Sequence, residues 1–239
     1  MEARTVAGTL ASAVEAAPSR GPVIRSASRP IKDKGAFAIL RGNLAPAGAV
    51  MRISTASPEL LVHEGPAVVF DGYEDMRRRI DDPNPHLSET SVLVLRGCGP
   101  VGGPGMPEWG MIPIPAPLAR AGVRDMVRVT DARMSGTSYG TVALHVAPES
   151  AVGGPLAAVA DGDPIRLDAE NGTIDLLVAD DEVARRLAGR SPTSYPELRG
   201  WVALYRRCVT QAPQGCDLDF LEAPTPAHRA VVEPVVGRS

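Results

Sequence analysis

The sequence predicts a mainly β fold: a β-barrel-like core carrying a few peripheral helices. Three observations support this. The 24 glycines and 23 prolines are spread along the 239 residues instead of pooling in one linker, which fits many short strands joined by tight turns. Between those turn formers, short apolar or alternating runs recur. Segments with helical period are few and short, and no internal repeat or low-complexity block interrupts the pattern.

Residues 1–34 read as an N-terminal arm or linker. "RTVAGTLASAVEAA" has weak helical periodicity, and "PSRGPVIRSASRPIKDKG" is extended and rich in turn formers. The barrel is expected over 35–190. Its first strands are "AFAILRG", "AVMRIS" and "AVVFD", and "GYEDMRRRIDD" (72–82) follows as a helix with Tyr73, Met76 and Ile80 on one face. "SVLVLRG" (91–97) is almost continuously apolar, as a strand buried on both faces should be. After the glycine-rich "CGPVGGPGMPEWG" come a short helix in "PLARAG" and a second buried strand in "DMVRVT". "TVALHV", "LAAVADGDPIRLD" and "GTIDLLV" read as further strands, with "DGD" and "ENG" as hairpin turns. "DDEVARRLAG" is a helix capped by Asp180 or Asp181 and stopped at Gly189. Residues 191–239 form a tail whose amphipathic piece is "LRGWVALYRRCV".

Bulk properties narrow the function. A net charge of −3 with interleaved signs presents no basic face for nucleic acid or anionic lipid. No apolar run approaches the roughly 18 residues that span a bilayer, and no charged-then-apolar signal pattern opens the chain. Cys98, Cys208 and Cys216 lack metal-ligand spacing and do not form an even set, so a reducing, cytoplasmic setting is expected.

Two loops attract attention because each follows a buried strand. In "GPVGGPGMPEWG" (99–110) the glycines allow close backbone approach, and the one ionisable side chain, Glu108, is a ligand type suited to Mg²⁺. The alternative is a surface turn with a solvated carboxylate. "DARMSGTSYG" (131–140) exposes the Ser135 hydroxyl before Gly136, either as a turn former or as a group for chemistry. No Gly-x-Ser-x-Gly elbow is present, since Arg133 lies two residues before Ser135. Asp131 and Arg133 read equally as a local salt bridge shaping the turn. His145 reads as a packed strand residue, and Cys98 as a small buried hydrophobe.

Together, "PIKDKGAFAILRGNLAPAGAV", "ASPELLVHEGPAVVFDGYEDMRRRIDDP", "VLRGCGPVGGPGMPEWGMIPIP", "GVRDMVRVTDARMSGTSYGTVALHVAPESAVGGPLAAVADGDPIRLD" and "CDLDFL" resemble the C-terminal part of the dihydroxy-acid dehydratase and phosphogluconate dehydratase family. Within it, they are most similar to the sugar-acid (aldonate) dehydratases. The resemblance runs from about residue 20 to 222 and implies a swivelling β/β/α barrel. It also implies dehydration of a sugar acid to a 2-keto-3-deoxy acid at a site holding an iron–sulfur cluster and Mg²⁺. In that family the cluster acts as Lewis acid on the departing 3-hydroxyl, and Mg²⁺ holds the carboxylate and 2-hydroxyl. A serine alkoxide takes the C2 proton. By motif, that serine falls on Ser135 in "RMSGT", the C-terminal Mg²⁺ ligand on Glu108 in "GPGMPEW", and a substrate contact on Thr137.

The chain departs from the family in two ways. Nothing in it matches the N-terminal domain, which carries the cluster cysteines and the remaining Mg²⁺ ligands. Val101 stands where many relatives have lysine. Three readings follow: a separately encoded half-enzyme completed by an N-terminal domain or subunit, a silent truncated fragment, or a binding or regulatory module that kept the barrel. The first two are favoured by the intact motifs. The chain is expected to be inactive in isolation and to form a homo-oligomer, with arm and tail as docking surfaces.

Overall fold

The computed structural model describes residues 4–5, 8–9, 25–26, 28–31, 35–84, 87–190, 195 and 199–221. The chain divides into two compact units, Met1–Gly35 and Ala36–Ser239. In the first, β1 (Arg4–Thr5) and β2 (Gly8–Thr9) pair antiparallel, Arg4 opposite Thr9. Short strands thus stand where the periodicity suggested the start of a helix. The rest of that helical stretch lies outside the described residues.

The second unit is built on one eight-stranded sheet: β3 (Ala38–Leu40), β4 (Gly48–Met51), β5 (Val62–Asp71), β6 (Val92–Arg96), β7 (Arg128–Thr130), β8 (Val142–Ala147), β9 (Pro164–Asp168) and β10 (Thr173–Leu176). Their spatial order is β10-β9-β5-β6-β7-β8-β4-β3. β5, β6, β7 and β8 run parallel, and the flanking pairs are antiparallel. The two outer strands nearly meet. Arg41, just past β3, bridges Thr173, donating its N–H to Gly172 O and accepting from Ile174 N–H. Asn43 continues the seam, donating its side-chain amide to Leu176 O and accepting from Leu176 N–H. The sheet therefore closes into a nearly complete barrel, as the sequence predicts.

The period-2 alternation of side chains sorts the apolar runs onto two faces. Val69, Val92, Val94, Val129, Ile165 and Ile174 fill the barrel interior with Leu40 and Met51. Val68, Phe70, Leu93 and Leu95 point outward. They are covered there by Met76 and Ile80 of helix α1 (Tyr73–Arg79) and its end, and by Ile112 and Met126. This is why Val92–Arg96 is apolar without alternation: both of its faces are buried.

The remaining helices are α2 (Ala116–Arg120), α3 (Asp180–Ala188) and α4 (Trp201–Cys208). Two expectations change in detail. "ENG" closes the β9–β10 hairpin, but "DGD" does not join two strands, because Pro155–Ala158 before it winds into a 3₁₀ turn. Ala179, with no side-chain cap, precedes α3, so Asp180 and Asp181 sit in the first turn, where they favour the helix through its dipole. Among the described residues, no helix is long and apolar enough to cross a membrane.

Candidate active site

The sheet topology brings the two loops together. β6 and β7 are neighbouring parallel strands, so the chain leaving Arg96 and the chain leaving Thr130 emerge at the same end of the barrel. In sheets with parallel strands, such carboxyl ends are where ligands bind. Arg133 then stitches the loops. Its Nε donates to Met106 O at 2.6 Å and its Nη2 lies 3.2 Å from Glu108 Oε1. Gly110 N–H donates to Arg133 O at 2.7 Å, an approach so close that a Cβ at Gly110 would sit 2.6 Å from that oxygen.

Asp131 and Arg133 do not pair with one another. Asp131 is fully buried and accepts from Gly97 N–H at 3.1 Å, Cys98 N–H at 2.9 Å, and the N–H and hydroxyl of Ser150 at 3.0 and 2.6 Å. It roots the start of one loop to the start of the other. At the far end of 131–140, Asp125 accepts from the N–H and hydroxyl of Thr141, from Ser57 N–H, and from Arg128 at 2.5 Å. Burial acts to raise the Asp125 pKa, but these Thr141, Arg128 and Ser57 contacts outweigh it and hold the carboxyl below its ordinary value.

Ser135 lies between these roots, half-buried. Its Oγ is 3.0 Å from Thr137 Oγ1 and accepts from Thr137 N–H at 3.3 Å. Arg52 reaches the same tip through Gly136 O. The Thr137 N–H is thus a donor aimed at the serine oxygen, and two guanidinium groups, of Arg52 and Arg133, hold the loop. Thr137 is exposed beside it. Glu108, about half exposed, stands on the facing loop.

His145 is not part of a Ser-His-Asp arrangement: among the described residues, the Ser135 hydroxyl pairs with Thr137. His145 sits on β8 at a backbone φ of 55° and donates its N–H to Ala132 O at 3.1 Å. Among the described residues its buried Nδ1 has no hydrogen-bond partner, and burial together with the Arg133 charge lowers its pKa. Cys98 is fully buried in the outer apolar cluster, and burial pushes its thiol up to about 12.

Glu149 is the residue the sequence reading passed over. It is 1% exposed and accepts from Val101 N–H at 2.8 Å, Gly102 N–H at 2.9 Å and the Gln211 amide at 2.7 Å. Burial raises its pKa more than these three donors lower it. The signal available in the sequence was an acidic residue wedged between an apolar strand and "VGGP".

Neither group that the resemblance implies fits the described residues unaided. Among them, no three His, Cys, Asp or Glu side chains gather where they would hold a metal ion. Glu108 offers Mg²⁺ one carboxylate, already paired with Arg133. The high-pKa, enclosed Cys98 is unsuited to ligating a cluster. A cavity of about 500 Å³ elsewhere is lined by Arg79, Arg96, Arg185, Arg186 and Arg190. Its arginines face Asp71, Asp75, Asp163 and Glu182, so it is a network of ion pairs.

Comparison with known proteins agrees with this picture. Residues 22–216 match the family model described as dihydroxy-acid/6-phosphogluconate dehydratase C-terminal. The chain is 54% identical over 217 residues to a 6-deoxy-6-sulfo-D-gluconate dehydratase of Pseudomonas putida, covering 90% of this chain and 37% of that protein. It is 52% identical over 218 residues to an L-arabonate dehydratase of Azospirillum brasilense, covering 86% and 37% respectively. A dihydroxy-acid dehydratase of Dehalococcoides mccartyi is 40% identical over 218 residues, covering 90% and 38%. The chain thus spans little more than a third of the length of these relatives.

Proposed function

This chain belongs to the dihydroxy-acid/6-phosphogluconate dehydratase family, whose C-terminal region it matches, and on that premise we propose that it carries the proton-abstracting half of a sugar-acid dehydratase. The observation behind the proposal is the stitched pair of loops: an accessible serine oxygen accepting from Thr137, across from Glu108, with Arg133 fixing one to the other. An aldonate is the favoured substrate class, because the sulfogluconate and arabonate dehydratases exceed 50% identity and the dihydroxy-acid dehydratase reaches 40%.

In this reading Ser135 takes the C2 proton of a 2,3-dihydroxy acid. The electron pair of that C–H bond forms the C2–C3 double bond as the C3–O bond breaks, and the departing hydroxide takes up a proton, matching the one Ser135 removed, to leave as water. The enol left behind gains a proton at C3 and loses its hydroxyl proton, becoming the 2-keto-3-deoxy acid. Thr137 supports the serine oxygen and borders the substrate. Glu108 supplies one oxygen toward a Mg²⁺ whose other ligands come from outside this chain, as does whatever assists the departing hydroxyl. The N-terminal portion seen in the relatives, on a longer protein or a partner subunit, completes the site, and the chain by itself turns nothing over.

The test pairs this chain with the N-terminal portion of the arabonate dehydratase relative and assays 2-keto acid formation anaerobically on an aldonate panel. Turnover that needs both chains and falls at least a thousandfold in Ser135→Ala is expected, the scale of a lost proton-transfer group plus its positioning. Turnover indifferent to Ser135→Ala would refute the assignment.

A further inference from the structure

The segment after the barrel reaches back to the loop that carries Glu108, and it does so through main-chain groups. Arg206, on α4, donates from Nε to Val101 O at 3.1 Å. Past the helix, Gln211 makes a two-point contact with Glu149: its amide donates to Oε1 at 2.7 Å, and its carbonyl accepts from Glu149 N–H at 2.9 Å. Glu149 passes this on, holding Val101 N–H with one oxygen and Gly102 N–H with the other. Gly99 leaves the space this requires, since a Cβ there would lie 2.5 Å from Glu149 Oε2.

The contacts form a closed circuit. Val101 is gripped at its N–H through Glu149 and at its C=O by Arg206. Gly102 is gripped at its N–H through the other Glu149 oxygen, just before the Gly103–Pro104 turn. Gln211 is itself fixed by a local turn in which its N–H and the Gln214 side chain pair at 3.1 Å. The antiparallel bridge Val209–Leu218 closes that turn onto α4. Because residue 101 is held by its backbone, valine serves in the grip as well as lysine.

We infer that residues 201–218 are a clamp on the glycine-rich loop, with Gln211 and Glu149 as positioning residues that set where Glu108 stands. The consequence for turnover rests on the function proposed above; the clamp itself does not.

The experiment is amide hydrogen exchange by NMR on the full chain and its Gln211→Ala variant, read at Val101 and Gly102. Val92–Leu95 of β6 serve as the internal reference. Gln211→Ala should speed exchange at Val101 and Gly102 about tenfold, as expected for loss of one hydrogen bond to a loop. The β6 amides should not change. Gln211→Glu, which keeps the acceptor for Glu149 N–H but not the amide donor, should be no better than alanine. In the two-chain assay, Gln211→Ala should lower kcat more than it raises KM. Unchanged loop exchange overturns the clamp, and so does acceleration equal to that of β6. If wild-type chains show no turnover but the loop amides respond as described, the clamp stands and the proposed function falls.

Discussion

Replacing Asp125 by asparagine should be among the more damaging conservative changes in this chain. Arg128 is 1% exposed, and its other donors go to neutral oxygens, Met126 O at 3.2 Å and Ile112 O at 3.1 Å. Among the described residues its one carboxylate partner is Asp125, at 2.5 Å. Removing one partner of a buried ion pair costs about 3–5 kcal/mol, because the other charge stays behind in a low-dielectric site. Asparagine removes the charge that faces the guanidinium, and its NH₂ must turn toward the donors of Arg128 or those of Thr141, so about 3 kcal/mol is expected. Against a typical domain stability of about 5–15 kcal/mol, the variant still folds. Urea unfolding followed by Trp109 fluorescence should show the midpoint falling by about 1–2 M, taking a slope of about 2 kcal/mol per M. The pH dependence gives an independent check. The folded Asp125 pKa lies below its ordinary 3.8, so its contribution is complete above that value and is lost as pH falls through the folded value. The gap between wild type and variant should therefore narrow in acid. A midpoint shift under about 0.3 M at neutral pH would show that Arg128 does not depend on Asp125, and the argument would be wrong.

Other outcomes follow from the same contacts. Gly99→Ala places a methyl 2.5 Å from Glu149 Oε2, so it should destabilise by about 1–3 kcal/mol in a denaturation series and speed amide exchange at Val101. The folded chain holds the Glu149 proton more tightly than the unfolded chain. Wild-type stability should therefore drop relative to Glu149→Gln as pH rises from 4.5 through the folded value, an effect visible in Tm measured from pH 4 to 8. His145 has a left-handed backbone, so His145→Gly should be more stable than His145→Ala by about 1 kcal/mol; equal stabilities would mean that the strand carries no strain there.

The strands were legible because burial writes itself into the chain as apolar runs, as in Val92–Arg96, and the two loops because glycine marks where backbone comes close. Ser135 and Glu108 were singled out by motif, and the register of β6 and β7 places them on neighbouring loops. What escaped was the support. Glu149 and Gln211 are separated by 62 residues, and only the fold joins them. Asp125 and Arg128 were readable in principle: a charge inside "DMVRVT" asks for a buried partner, and one stands three residues earlier. Asp131 was seen, with a salt bridge to Arg133 as one of two even readings. Its actual partners, at 97, 98 and 150, satisfy backbone donors that no composition or periodicity reveals.

The seam between Arg41 and Gly172–Ile174 bears on how such a domain is made. Within the domain, β3 and β4 are made before the other strands, yet the chain just past β3 has no partner on its open side until residues 172–176 have been added. While the domain is being made, the nascent sheet keeps open margins of unpaired N–H and C=O groups, which other chains can join. Contacts this distant in sequence are also slow to form. The last hairpin, β9–β10, is therefore the step that commits the domain, and an interruption before it leaves a sheet seeking strands from elsewhere.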